Sequence, residues 1–179
     1  ADRPRIVVNV GGFTQDAPLA PHDREVRYEQ VLDSFDQMNS DGVEILPQTM
    51  PPFPWHFGGQ RYQNLFLDPW EIAAFCRDHG YRVCLDTSHS QLACTHNRWS
   101  FSDFVTIVGP HVSHLHIADA SGVDGEGLQI LDGEIDFPVL GRSLLEVAPE
   151  ASFIPEIWQG HKNAGEALWR ALELLESYL

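Results

Sequence analysis

The chain is poor in basic residues and has no long apolar run. Its 179 residues include 11 Lys and Arg against 26 Asp and Glu, which gives a net charge of −15 and a pI near 4.7. This charge opposes binding to nucleic-acid backbones and anionic membranes, because both are recognised largely through Lys and Arg. No apolar stretch approaches the ~20 residues that span a bilayer, and the first residues lack a signal-peptide pattern. We therefore expect no nucleic-acid partner and no membrane association.

Cysteine is also scarce. The three cysteines, Cys76, Cys84 and Cys94, are odd in number and form no CxxC pair. Buried reduced thiols in a cytoplasmic protein are the favoured interpretation, and metal ligation by these thiols is the lesser alternative. A hydrophobic fraction of 43% is ordinary for a globular protein, so we expect one domain over residues 1–179. The first residue is Ala rather than Met, which is consistent with a processed or truncated piece of a longer protein.

The order of apolar patterns predicts an α/β fold. Five short runs rich in β-branched residues predict strands, at residues 5–10, 43–46, 82–85, 112–117 and 153–158. Helical spacing or helix-start and helix-stop residues predict four helices, at residues 23–38, 69–79, 102–108 and 163–179, the last capped by Asn163. Alternation of this kind is typical of βα units with a parallel sheet. No GxGxxG or P-loop follows the first strand, so a nucleotide site lacks support.

Polar side chains stand where four of the predicted strands end. Gln48 follows the second strand, Asp86 and His116 end the third and fourth, and Glu156 lies in the fifth. In a parallel sheet these ends meet at one edge, where the active sites of α/β proteins form. Their oxygen and nitrogen atoms suit Mn²⁺, Mg²⁺, Co²⁺ or Zn²⁺. Taken singly, Asp86 is also explained as a cap, His116 as a core histidine, and Glu156 as an ion-pair partner of a basic side chain.

Four motifs in order carry a resemblance to a known superfamily. They read LDTSH, HLHIADA, a glycine-rich loop ending in GEIDF, and PEIW. Together they resemble the sugar isomerase/epimerase superfamily, the xylose-isomerase-like TIM-barrel group that also contains endonuclease IV. The resemblance implies a parallel-stranded (β/α) barrel, present here only as about five C-terminal βα units, since a closed barrel has eight strands. An open doubly wound sheet is the neutral alternative. The segment QTMPPFPWHFGGQ also resembles domains linked to the biosynthesis of sialic-acid-type sugars.

The resemblance implies a set of metal ligands, with one departure. Superfamily epimerases and isomerases hold a metal through Glu, Asp, His and Glu at successive strand ends, and Asp86, His116 and Glu156 match the last three. The first position is Gln48, whose carbonyl oxygen can bind a metal but cannot abstract a proton. Glu44, on the same strand face, lies about 13 Å lower at ~3.3 Å per residue and is a poor substitute.

The same resemblance assigns roles to other residues. Glu156 is the expected base for an enediolate-type proton transfer, with His89 as the alternative. His89 is better explained as a group that orients a ligand or a substrate hydroxyl. Asp119 has two interpretations, ligation of a second metal or holding of the loop, and the supporting role is favoured. A sugar is expected to contact the loop 47–68 and the segment after the last strand, through Trp55, His56, Arg61, Trp158 and Lys162. For the loop residues, packing of the loop on itself or on a partner subunit is an equal alternative.

Three functions remain open on these grounds. The first is a metal-dependent isomerase or epimerase acting on a sugar or sugar acid. The second is a sugar-binding or regulatory domain without catalysis, which Gln48 supports. The third is an endonuclease IV-like nuclease, which the charge and the lack of a histidine between His116 and His161 disfavour. A five-stranded chain would expose sheet edges, so we expect a homo-oligomer or completion of the barrel by a missing N-terminal segment.

Overall fold

Five parallel strands form the centre of the molecule. A computed structural model describes residues 3–54 and 61–178. The strands are β1 (Arg5–Val8), β2 (Glu44–Pro47), β3 (Val83–Asp86), β4 (Val112–Ile117) and β7 (Ser152–Pro155). β1 pairs with β2, and β3, β4 and β7 pair in that order. A parallel bridge between Gln48 and Cys84 joins the two groups, so the strands follow one another around a curved sheet as in part of a barrel.

The barrel is open. In the described part of the chain, β1 and β7 are the outer strands and do not pair with each other. Both edge strands carry exposed apolar side chains, Ile6 on β1 and Phe153 and Ile154 on β7. The α/β class, the parallel strands and the partial barrel predicted from the sequence are thus confirmed, and the open doubly wound sheet is not what forms.

Six helices of the described residues accompany the sheet: α1 (Pro21–Asp36), α2 (Pro69–His79), α3 (Thr87–Asn97), α4 (Phe101–Val108), α5 (Phe137–Val147) and α6 (Lys162–Leu175). α2 shows how local sequence sets the ends. The Asp68 side chain accepts hydrogen bonds from the backbone of Trp70 and Glu71, and Gly80 ends the helix with φ 75°. These helices bury the sheet under large apolar side chains such as Ile72, Phe104 and Phe137. None of the described helices is long and apolar enough to span a bilayer.

Several element predictions were wrong. Residues 87–97 form α3 and residues 137–147 form α5, whereas neither helix was predicted. The predicted glycine-rich loop ending in GEIDF contains most of an antiparallel hairpin, β5 (Asp119–Ser121) with β6 (Gly125–Leu128). β7 ends at Pro155, so Glu156 follows the strand and does not lie in it.

Asn163 does not cap the last helix as predicted. Asn163, Ala164 and Gly165 all have positive φ, so the regular part of α6 begins only after them. The turn that precedes this regular part is therefore wound in the left-handed sense. The apolar stripe predicted for this helix does reach the core, where Ala171 and Leu175 are buried.

The cysteines are placed as the sequence predicted. Cys76, Cys84 and Cys94 are all free and buried. Burial raises the pKa of the Cys76 and Cys94 thiols to about 12 and that of Cys84 further still. Since the thiolate is the form that binds metals, these side chains are poor ligands where they stand.

Candidate metal centre at the carboxyl edge of the sheet

Three of the predicted ligands meet at the carboxyl ends of the central strands. Asp86 on β3 is level with His116 on β4, and Glu156 follows β7 immediately beside them. One ligand atom from each of the three lies within 4.8 Å of the others. His116 Nδ1 is 2.6 Å from Glu156 Oε2 and 4.0 Å from Asp86 Oδ2. The parallel register therefore brings together two carboxylates and an imidazole that are far apart in the sequence.

The three donors fit a divalent ion. Ligand atoms lie about 2.0–2.2 Å from Zn²⁺ or a similar ion, so atoms around one ion are roughly 3–4 Å apart. The two separations from His116 Nδ1, 2.6 and 4.0 Å, bracket this range, and the three ligand atoms all lie within 4.8 Å of one another. Two carboxylates and one imidazole form a mixed oxygen and nitrogen set of the kind that Mn²⁺, Co²⁺ and Zn²⁺ accept.

Gln48 is the fourth side chain of the cluster. It is 4% exposed, and its Nε2 donates to Asp86 Oδ2 at 2.7 Å and lies 3.2 Å from His116 Nδ1. A turn of the amide about its last bond would face Oε1 toward the same centre and give up the bond to Asp86. Gln48 thus occupies the position that its sequence motif indicated, as a neutral group.

The carboxylates of the cluster differ in their surroundings. Burial raises the pKa of Asp86, and the nearby histidines oppose this rise without cancelling it. Partial burial would raise the pKa of Glu156, but the hydrogen bond and charge of His116 outweigh it and lower the pKa overall. The Glu156 side chain is 54% exposed against 4% for Asp86. Asp86 is therefore the enclosed member of the pair, and Glu156 is the member that faces an incoming molecule.

His89 stands behind the cluster at the start of α3. Its Nδ1 lies 2.9 Å from the backbone oxygen of Thr49 and 3.3 Å from Asp86 Oδ2, and its Nε2 is 3.9 Å from Glu126. Because a carbonyl oxygen only accepts, Nδ1 carries a proton. Burial alone would lower the pKa of His89, but Asp86, Glu126 and the Thr49 carbonyl raise it to about 9. His89 is therefore placed to hold the Asp86 carboxylate, which is a candidate metal ligand. A catalytic role for His89 stays a prediction.

An open cavity of about 440 Å³ lies over the cluster. Two of the predicted substrate-binding residues, Trp158 and Lys162, line it together with Asp86, His89 and Glu156. Trp158 is 69% exposed, and Lys162 Nζ donates to Gln159 Oε1 at 2.9 Å. Arg61 is not among the described residues that line this cavity. Trp55 and His56 lie outside the described residues, so their predicted contact with a sugar stays a prediction.

The family follows from a comparison with known protein families. A sequence profile described as xylose isomerase-like TIM barrel matches residues 4–178, nearly the whole chain. The chain belongs to this family. A search of curated protein sequences finds no significant match.

Solved structures share the xylose isomerase-like fold at low sequence identity. A D-tagatose 3-epimerase-like protein has a TM-score of 0.72 and 18% identity over 98% of this chain and 61% of its own. The IOLI protein with a bound zinc atom has a TM-score of 0.72 and 15% identity over 98% and 64%. Endonuclease IV from Thermus thermophilus has a TM-score of 0.61 and 21% identity over 97% and 61%. The chain therefore spans somewhat under two thirds of the length of these family members.

In this xylose isomerase-like chain, Asp119 and Glu44 lie outside the metal-ligand cluster and make structural contacts instead. Asp119 is fully buried and accepts backbone hydrogen bonds from Ala120, Gly133 and Ile135 at 2.8–3.0 Å. It holds the loop, as one of its two predicted roles required. Glu44 binds Arg5 and Ser113 at the opposite, amino edge of the sheet, which excludes it as a substitute for the missing carboxylate.

Sequence reasoning missed two residues at the site. Glu126 lines the cavity from the β5–β6 hairpin, and the Ser88 hydroxyl accepts a hydrogen bond from the backbone of Gly127 at 2.9 Å. A lone carboxylate in a Gly-Glu-Gly run was the signal available for Glu126. That signal does not show which way the hairpin folds, so the residue was assigned to a loop.

Proposed function

We propose that this chain carries the metal site of a sugar isomerase or epimerase that moves a proton at a carbon next to a carbonyl group. The observation that carries the proposal is the cluster of Asp86, His116 and Glu156 within 4.8 Å, two of whose members, Asp86 and Glu156, line an open cavity. Support also comes from the names of similar structures, which include a D-tagatose 3-epimerase-like protein and an L-ribulose 3-epimerase.

The residues divide the work between binding and proton transfer. A divalent ion held by Asp86, His116, Glu156 and the Gln48 oxygen would polarise the substrate carbonyl and make the neighbouring C–H bond more acidic. Glu156 is half exposed and lines the cavity, and His116 contacts its Oε2. Its second oxygen, Oε1, is the atom that we assign to the substrate side. That oxygen takes the proton. Gln48 has no basic atom, so it serves as a neutral ligand and takes no part in the proton transfer.

The cavity wall suits a polyhydroxylated ligand. Trp158 offers an apolar ring against which the C–H face of a sugar packs, and Lys162 supplies a cationic donor farther out. The ion is one of Mn²⁺, Mg²⁺, Co²⁺ or Zn²⁺, and the bound zinc of the IOLI structure makes Zn²⁺ the first to test.

Elemental analysis and a sugar screen test this proposal together. The purified chain is stripped with chelator, reloaded with Zn²⁺, Mn²⁺ or Co²⁺, and incubated with D-tagatose, D-fructose and L-ribulose. We expect close to one metal per chain and conversion of at least one ketose to its epimer, lost on chelation and restored by metal. Absence of bound metal after reloading would contradict the proposal, as would absence of any conversion by metal-loaded protein.

A second candidate function is sugar binding without turnover. The observation in its favour is Gln48, because a neutral amide stands at the first ligand position, where a carboxylate is expected. Titration calorimetry with the same ketoses separates the two functions, because a binding domain would release heat on mixing and leave the sugar unchanged.

The nuclease alternative has one observation for it and two against. Endonuclease IV shares the fold with a TM-score of 0.61. A net charge of −15 opposes the approach of a DNA backbone, and the cavity itself is lined by the carboxylates of Asp86, Glu126 and Glu156. Cleavage of duplex DNA by the metal-loaded chain would establish this alternative.

The open edges also bear on partners. In the described residues no further strand pairs with β1 or β7 at the two ends of the sheet. Both strands expose apolar side chains there. We propose that further βα units, from another segment of a longer protein or from a second copy, complete the barrel in the working protein. A stable monodisperse monomer of this chain in sedimentation velocity at micromolar concentration would contradict self-association.

A further inference from the structure

The β5–β6 hairpin is tied down across the mouth of the site. At one side, Gly127 donates its backbone N–H to the Ser88 hydroxyl at 2.9 Å; at the other, its carbonyl accepts from the backbone of Trp158 at 2.7 Å. Gly127 has φ 70°, and a side chain there would meet Trp158 at 3.3 Å. Asp119 holds the base of the hairpin through three backbone bonds. The neighbouring Glu126 is therefore carried by a rigid backbone.

Glu126 faces the same cavity as the ligand cluster. Its side chain is 22% exposed, and Oε1 lies 3.9 Å from His89 Nε2. His89 belongs to α3 and stands beside β3, whereas Glu156 follows β7, two strands away in the sheet. Both glutamates line the cavity: Glu126 lies beside His89, whereas Glu156 lies beside His116.

We propose that Glu126 is the second proton-transferring carboxylate of this site, working opposite Glu156. This inference rests on the proposed function. Inversion of a carbon centre through proton transfer needs a base on one face of the substrate and an acid on the other. Gln48 cannot fill either role because its amide neither takes nor gives a proton at neutral pH. Glu126 is the additional carboxylate that the fold brings to this cavity.

The proton inventory balances over one turnover. Ionised Glu126 takes the hydrogen of the C–H bond next to the carbonyl, and the bonding pair moves into the carbon–carbon bond as the carbonyl oxygen takes the negative charge. Protonated Glu156 then delivers its proton to the opposite face of the same carbon, and the carbonyl re-forms. In the reverse direction Glu156 is the base, as in the proposed function, and Glu126 is the acid. The substrate leaves with one proton lost and one gained. The proton left on Glu126 returns to solvent, and Glu156 regains one.

A supporting role for Glu126 predicts a different outcome. If the residue only holds His89 through a charge contact, its loss would disturb metal binding through the chain from His89 to Asp86. If Glu126 instead joins His89 in holding a second ion, its loss would lower the metal content of the protein. Metal content and substrate chemistry together separate these roles from proton transfer.

The test compares Glu126→Gln, Glu156→Gln and the control Asp124→Asn, which removes an exposed acid from the same hairpin. Each variant is loaded with Zn²⁺ or Mn²⁺ and incubated in D₂O with D-tagatose, D-fructose and L-ribulose. We expect Glu126→Gln to keep the parent's metal content and to epimerise at least about a hundredfold more slowly. It should still exchange deuterium into one epimer, through Glu156, at a rate within about tenfold of the parent. Asp124→Asn should match the parent in every measurement.

The outcomes that overturn the inference are distinct. Epimerisation by Glu126→Gln at the parent's rate contradicts the role of Glu126 and leaves the proposed function standing. A fall in metal content would assign Glu126 to ion binding or to support of His89. An equal loss of deuterium exchange in both epimers would assign it a supporting role. A parent with no conversion and no exchange contradicts the proposed function and this inference together. Glu126→Asp covers the case in which Glu126→Gln does not fold: it should bind metal normally and epimerise about tenfold more slowly, since the shorter carboxylate stays a base.

Discussion

Asparagine in place of Asp86 is expected to lower the affinity of the chain for Zn²⁺ or Mn²⁺ by at least about a hundredfold, since loss of a group that only supports a ligand already costs ~10–100-fold. Asp86 Oδ2 lies in the cluster, 4.0 Å from His116 Nδ1, and is the enclosed anionic donor of the set. Asparagine has nearly the same size and a neutral oxygen, so the charge is removed while the packing is kept.

The fold should survive this change. Asp86 Oδ1 accepts from the backbone of His89 at 2.9 Å and so caps α3. Asparagine is as good a cap as aspartate, and a neutral side chain avoids the cost of a buried charge when no ion is bound. The apo form of Asp86→Asn should therefore unfold at a similar urea concentration to the parent.

Titration calorimetry and elemental mass spectrometry on dialysed protein measure the effect. Asp103→Asn is the matched control, because Asp103 is an exposed acid at the start of α4. The double variant Asp86→Ala/His116→Ala should hold no metal at all. Retention of full affinity by Asp86→Asn would show that the ion binds elsewhere and would remove the basis of the proposed function.

Alanine in place of Asp119 is expected to destabilise the chain by about 3 kcal/mol, because three backbone N–H groups lose a charged acceptor. The carboxylate accepts from Ala120 and Gly133 at 2.8 Å and from Ile135 at 3.0 Å, and it is fully buried. Removal of a buried charge offsets part of the loss. What remains is the cost of leaving these donors without a partner in a closed space.

Urea denaturation followed by circular dichroism gives the free energy of unfolding. The free energy of unfolding of Asp119→Asn should lie between those of the parent and Asp119→Ala. The amide keeps one acceptor oxygen, but its NH₂ group faces backbone N–H donors and cannot accept from them. Asp132→Ala, an exposed acid in the same segment, should change stability by less than about 0.5 kcal/mol. A difference of less than about 1 kcal/mol between Asp119→Ala and the parent would mean that other acceptors or water take over these bonds.

Asp86 and His116 show why much of the site was predictable. Each stands where an apolar run of the sequence ends, and parallel strands place their carboxyl ends at one edge. Two residues that are 30 positions apart therefore become neighbours without any knowledge of side-chain packing. Gln48 and Glu156 follow from the same rule, although β7 ends one residue before Glu156.

The helix α3 shows where local patterns failed. Its first four residues, Thr87 to Ser90, are polar and resemble a turn, yet all four are buried. They are buried because they lie under the hairpin and beside the cluster, where Thr87 binds Ala118 and Ser88 binds Gly127. Contacts between residues so far apart in the chain leave no periodic pattern in the sequence. The spacing of hydrophobic residues therefore could not predict this helix.

Local sequence patterns predicted the five parallel strands, four of the six described helices and the side chains that meet at the carboxyl edge of the sheet. Strand periodicity, Pro and Gly at helix ends and the alternation of βα units act over a few residues, so they can be read from neighbours in the chain. Only the tertiary structure placed Ser88 under the hairpin, gave Asp119 its three backbone hydrogen bonds and brought Glu126 to the cavity. Each of these depends on the direction of a side chain in space, which long-range hydrogen bonds and packing set.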